Sequence, residues 1–93
     1  MLQNYPNLFN PETWIPFELS QDAEVRLTIY DLAGQQVRKI DLGHQLAGNY
    51  VESSKAIYWD GKTEIGEHVS SGTYFYQIEA EDYTDTRKMV ILK

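Results

Sequence analysis

Ala23-Glu24-Val25-Arg26-Leu27-Thr28-Ile29-Tyr30-Asp31 is the stretch that decides the fold. Val25, Leu27 and Ile29 alternate with Arg26, Thr28 and Tyr30, the period of 2 that sends apolar side chains to one face of a strand. The same residues miss the i, i+3, i+4 spacing of an amphipathic helix. Leu32-Ala33-Gly34-Gln35 reads as a hairpin turn, with Gly34 free to take positive φ. Gln36 to Leu42 is the next predicted strand. Its apolar Val37 and Ile40 are three apart, which predicts a bulge or an early strand end.

Toward the N-terminus, Trp14 to Leu19 is a strand candidate that Pro16 interrupts, so an edge strand or a bulge is expected. Residues 1–12 hold Pro6 and Pro11 among Asn4, Asn7 and Asn10. Prolines and the residues before them favour extended backbone, so this segment is predicted to be an extended lead-in packed on the domain. Leu8 and Phe9 are placed to tuck against the core.

Toward the C-terminus, Gly43 to Gly48 reads as a loop. Asn49 to Val51 and Ala56 to Trp59 read as short extended pieces, joined through Ser53-Ser54-Lys55 by a kink or a turn. Asp60-Gly61 is a turn signal, and Gly66 marks a second turn. Gly72 to Glu81 is predicted to be a strand with Tyr74, Tyr76, Ile78 and Ala80 on one face. Asp82 to Asp85 should turn. Thr86 to Leu92 should form the closing strand, and apolar residues on both its faces predict cover on both sides.

Composition agrees with this reading. The chain has 93 residues, enough for one domain and too few for two. Twelve residues are aromatic, seven of them Tyr, which favours pleated half-buried surfaces. About seven short strands with no convincing helix predict an all-β fold: an immunoglobulin-like antiparallel β-sandwich over residues 13–93, with a small barrel as the alternative. Eight basic against fourteen acidic residues give a net charge of −6, which argues against nucleic-acid partners and anionic membrane surfaces. No apolar run reaches the roughly 20 residues of a membrane span, and no signal-peptide pattern opens the chain. With no cysteine, disulfides, thiolate metal sites and Cys nucleophiles are excluded.

No catalytic constellation stands out, so the chain is not expected to be an enzyme. His44 and His68 fall in predicted loops far apart in sequence, and no Gly-x-Ser-x-Gly elbow or phosphate loop is present. The Asp60-Gly61-Lys62-Thr63-Glu64 stretch, with Glu67, offers oxygens to calcium. It lacks the alternating Asp/Asn of an EF-hand loop, and Lys62 opposes a cation. A turn with solvated charges is the better reading, and no metal or cofactor is expected. Trp14, Trp59 and Tyr30 suit stacking on sugar rings if exposed; as core aromatics they supply buried area instead. Tyr76 fits a core tyrosine whose hydroxyl ties down a loop, as in a tyrosine corner. Arg87, Lys88 and Lys93 bracket an apolar strand. They either blunt a sheet edge or set the specificity of a strand that pairs with a partner's sheet.

These residues carry a further pattern. Gln3-Asn4-Tyr5-Pro6-Asn7-Leu8-Phe9-Asn10-Pro11-Glu12-Thr13 resembles the opening block of the type A C-terminal sorting domains of the type IX secretion system. Ile29 to Val37 resembles their hairpin block. Trp59-Asp60-Gly61 with Gly66, then Ser71-Gly72-Thr73-Tyr74-Phe75-Tyr76, resembles their central block. Arg87-Lys88-Met89-Val90-Ile91-Leu92-Lys93 resembles their closing block. The related immunoglobulin-like domain of the flagellar hook-capping protein shares the middle blocks. Leu8 stands where the family usually has proline, and Asn49 to Ala56 is a longer polar loop than usual.

The resemblance implies a non-catalytic address label that directs a larger exported protein through the outer membrane to the cell surface. The parent cargo, fused upstream, would carry the signal peptide into the periplasm. The implied partners are an outer-membrane translocon and a sortase-like protease, with no direct membrane insertion. Partner recognition is expected from Gly72, Tyr74, Tyr76, Arg87, Lys88 and Lys93. Asn4, Pro6, Phe9, Asn10, Pro11, Gly34, Trp59, Asp60 and Gly61 are the expected structural residues of the motif. A glycan-binding, adhesive or spacer module of a surface protein is the alternative.

Overall fold

A computed structural model describes residues 3–6, 8–9, 12–81 and 83–92, with backbone only at Leu8 and Phe9. Expectations on Asn10, Pro11 and Lys93, and on the side chains of Leu8 and Phe9, fall outside the described residues. The described chain is all β, in nine strands: β1 Leu8–Phe9, β2 Thr13–Ile15, β3 Phe17–Leu19, β4 Ala23–Tyr30, β5 Gln36–Gln45, β6 Gly48–Tyr50, β7 Ile57–Trp59, β8 Gly72–Ala80 and β9 Tyr83–Ile91. One sheet has the order β1-β9-β8-β4-β5, and the short pairs β2-β7 and β3-β6 form the opposing layer. Every pairing is antiparallel except β1 on β9. This is the immunoglobulin-like sandwich, not the barrel.

The alternation of β4 sets the core. Val25, Leu27 and Ile29 are fully buried, and Tyr76, Ile78, Met89 and Ile91 extend the same face across β8 and β9. Ile15, Phe17, Ile57 and Trp59 close the core from the other layer. Burying each such side chain contributes roughly 1.5–3 kcal/mol, the dominant favourable term for so small a domain.

The strand count exceeds the expected seven by two: the lead-in contributes β1, and Pro16 divides the first predicted strand. With no N–H to give a ladder, buried Pro16 separates β2 from β3, and the halves take different partners. The bulge expected in β5 is present: register shifts fall between Val25 and Arg26 and between Ile29 and Tyr30, opposite Leu42 and Val37. The early strand end is not. β5 runs on to Gln45, because β4 begins at Ala23 and Ala23 pairs with Gln45. Gly43 to Gln45 is therefore strand where a loop was expected. Ser53 to Lys55 is a turn, with Lys55 and Ala56 both donating to the Glu52 carbonyl.

The last hairpin is also tighter than expected. Ala80 pairs with Tyr83, so the loop is two residues and Tyr83 to Asp85 belong to β9. Glu81 takes positive φ of 57°, as a two-residue hairpin of this hand requires. Cover on the second face of the closing strand is only partial: Met89 and Ile91 are buried and Val90 is half-buried, but Lys88 is exposed and Leu92 is 57% exposed.

Leu27→Ala should cost about 2–5 kcal/mol by chemical denaturation, as large-to-small changes in packed cores do. Leu32→Ala, at a side chain 73% exposed in the β4–β5 turn, should change stability by less than about 0.5 kcal/mol.

Candidate recognition surface around the closing strand

The opening block is tied to both sheets. The Tyr5 and Trp14 backbones exchange two hydrogen bonds, N–H to O at 2.8 and 2.9 Å, which holds the lead-in to β2. Leu8 and Phe9 then pair in parallel with Val90 and Ile91 of β9. Between these contacts lies Asn4, 2% exposed. Its backbone N–H donates to the Tyr76 hydroxyl at 2.9 Å. Its side-chain amide donates to the Pro6 carbonyl and to Thr13 Oγ1, both at 3.0 Å. Thr13 Oγ1 in turn reaches the Tyr5 and Pro6 carbonyls at 3.1 Å. Buried polar groups must be paired, and here they pair with one another.

The hydroxyl of Tyr76 therefore ties down a segment distant in sequence, as its reading as a core tyrosine anticipated. Burial pushes its ionisation above the ordinary 10.0; the Asn4 N–H and the Arg87 charge oppose this, and Asp85 adds to it. Tyr74 is also raised, again by burial first. Its hydroxyl donates to the Ser70 carbonyl at 2.8 Å. Both rings face the core, so they hold β8 from within and offer little side-chain surface to a partner. Gly72 opens β8 opposite Ile91. Lys88 is exposed on the outer face. Arg87 is half-buried beside Tyr76, with its Nε 3.9 Å from an Asp85 carboxylate oxygen.

The remaining motif residues shape turns. Asp31 Oδ1 accepts from Ala33 and Gln35, and Gly34 completes that turn at φ 83°. Trp59 is fully buried and donates from Nε1 to the Lys62 carbonyl at 2.9 Å. Asp60 Oδ1 accepts from the Lys62 N–H at 3.0 Å and from Arg38 Nη1 at 3.3 Å. Gly61, buried at φ 78°, makes that turn possible and receives the Val69 N–H on its carbonyl. Asp60 is thus committed to the turn, and no group of three acidic or His side chains suited to a metal occurs among the described residues.

A burial of this kind removes Trp59 from any sugar-stacking surface. Trp14 is half-buried, with Tyr5 near-parallel at 6.2 Å and Tyr58 tilted at 5.6 Å. Thr13 was not singled out from the sequence, although it closes the opening block. Its role depends on Asn4, and only the fold brings the two side chains together.

The model of the FlgD Ig-like domain family matches residues 7–84. The chain belongs to the FlgD Ig-like domain family. Among solved structures, FlgD from P. aeruginosa is 26% identical and superposes with a TM-score of 0.65, over 85% of this chain and 58% of that one. A dimeric latent PorU from Porphyromonas gingivalis gives a TM-score of 0.73 at 19% identity, over 96% of this chain and 9% of PorU. PorZ, described as an essential surface component of the type IX secretion system of that bacterium, gives 0.63 at 14% identity, over 97% of this chain and 11% of PorZ. This FlgD Ig-like domain thus spans only part of each of these proteins. No curated protein matches it.

Tyr76→Phe should leave the Asn4 N–H buried without its acceptor and cost about 1–3 kcal/mol, with faster amide exchange across residues 3–9. A raised phenol binds its proton more tightly when folded. Its contribution is complete below the unfolded value of 10.0 and is lost as pH rises through the higher folded value. Alkaline titration of stability should therefore fall less steeply above pH 10 in Tyr76→Phe than in the parent.

Proposed function

We propose that this domain is a non-catalytic sorting signal that directs a larger exported protein across the outer membrane to the cell surface. The observation that carries the reading is that both ends of the sorting-domain pattern build one unit. Asn4 is bonded to Tyr76, and Leu8–Phe9 pair with Val90–Ile91. A folded address label needs such a rigid surface, on which a receptor reads fixed positions. The fold is shared with PorU and with PorZ, a component of a type IX system, which supports the same reading.

In this reading recognition rests on the β8–β9 hairpin. Gly72 starts it, Tyr74 and Tyr76 fix it from the core side, and Lys88, Arg87 and Lys93 supply partner charges. The outer-membrane translocon and a sortase-like protease are the partners. The cargo lies upstream and supplies the periplasmic signal.

Removing residues 87–93 is a poor test, because it takes Met89 and Ile91 out of the core. Charge reversal is sharper. A folded reporter with a periplasmic signal and this domain at its C-terminus should leave a bacterium that has a type IX system. The Lys88→Glu/Lys93→Glu version should stay in the periplasm with unchanged thermal stability. Retention of the parent fusion in folded form would refute the sorting role. Equal export of both would refute the charge readout.

A further inference from the structure

Among the described residues, strand pairing covers the outer edge of β9 at its C-terminal end. β1 covers Val90 and Ile91, and among the described residues no strand pairs with the edge from Tyr83 to Met89. The hydrogen-bonding direction along that edge follows from the turn. In a two-residue hairpin the closing pair, here Ala80 and Tyr83, exchanges its hydrogen bonds. Alternation then directs the backbone groups of Tyr83, Asp85, Arg87 and Met89 toward β8, and those of Thr84, Thr86 and Lys88 away from it. The Lys88 carbonyl does point outward, since it accepts from Gln3 Nε2 at 2.9 Å. β1 shows that this edge accepts a strand; beside it the outward backbone groups of Thr84 and Thr86 are placed for another, and at Lys88 an incoming strand would take over the carbonyl from the Gln3 side chain.

The sequence along the open stretch is self-complementary. It reads Tyr83-Thr84-Asp85-Thr86-Arg87-Lys88-Met89, bounded by the hairpin turn at one end and by β1 at the other. Its midpoint is Thr86, which is outward-directed. An antiparallel copy placed on a two-fold axis through Thr86 puts Thr86 opposite Thr86 and Thr84 opposite Lys88 as hydrogen-bonded pairs. Asp85 then falls opposite Arg87 of the second copy, twice over, in the non-hydrogen-bonded positions where side chains approach most closely. Tyr83, 49% exposed, falls opposite Met89. A register centred on Asp85 would instead set two carboxylates face to face.

We propose that β9 is a self-association edge, where two copies of this chain pair antiparallel through Thr84 to Lys88 with Thr86 on the two-fold axis. The two five-stranded sheets then become one continuous sheet. The contact is short, about 17 Å of strand at ~3.4 Å per residue, well below the ~1,600 Å² interfaces of tight complexes. The dimer is therefore weak and concentration-dependent. The inference stands apart from the sorting role, since it concerns the isolated domain and needs no translocon.

The test is sedimentation of the 93-residue chain up to millimolar concentration, with amide NMR shifts followed over the same range. The parent should dimerise reversibly, with the largest shifts at Thr84, Thr86 and Lys88. Thr86→Pro removes an outward N–H that the ladder to β8 does not use, so it should fold and remain a monomer. Asp85→Arg and Arg87→Asp should each weaken self-association about tenfold or more by setting like charges opposite each other. Mixed in equal amounts, those two variants should pair with each other, because every cross-strand position is again opposite in charge. Repair of the contact between Asp85 and Arg87 within one chain cannot produce that rescue. A parent that stays monomeric at millimolar concentration would overturn the proposal. So would a dimer insensitive to Thr86→Pro, or a mixture of the two folded charge variants that fails to pair.

Discussion

The hydrogen bond from the Asn4 backbone to the Tyr76 hydroxyl is the contact on which the rest of this surface depends. It joins the first described residues of the chain to a strand more than seventy positions later, in a site with almost no access to water. A buried donor without a partner costs more than a made bond contributes, so the pairing acts mainly by forbidding alternatives. With Asn4 fixed, its side chain fixes Pro6 and Thr13, and the lead-in can cross from β2 to β9. That crossing lays β1 along the last strand.

The position of β1 gives β9 two different characters along its length. Near Val90 it is an interior strand with ladders on both sides. From Tyr83 to Met89 it is an edge, the feature that small β domains must protect or use. The opposite edge, β5, carries two register shifts, and bulges of this kind discourage pairing with another sheet. β9 has no such irregularity in its pairing with β8. Of these two long strands, β9 is thus the one with a regular edge among the described residues, beside the residues to which a sorting role assigns recognition.

Much of the architecture was legible in side-chain period. The alternation at Ala23 to Tyr30 and at Gly72 to Ala80 states which residues face inward, and the burial of Val25, Leu27, Ile29, Tyr76 and Ile78 follows it. Pro16 and the irregular spacing of Val37 and Ile40 marked a break and a bulge. Strand ends were less legible, because they are set by partners. β5 continues to Gln45 only because Ala23 lies opposite, and polar residues near Gly43 gave no sign of it. The candidate surface was readable as a list of residues, and alternation placed Tyr74 and Tyr76 inward; which residue of β9 meets Tyr76 depended on the register between β8 and β9. Arg87 and Lys88 are neighbours in sequence, yet one lies against Tyr76 and the other stands in solvent.

By itself, the sequence determined the all-β class, the core faces of the long strands and the turns at Gly34 and Asp60-Gly61. All of these follow from local rules: period 2, positive φ and side-chain capping of nearby N–H groups. Tertiary structure alone decided that Pro16 divides one strand between two partners, that Thr13 completes the buried cluster around Asn4, and that β9 is covered at one end and open at the other. Those outcomes depend on which distant segment arrives to satisfy a backbone or side-chain group, and that is fixed only when the two layers close on a common core.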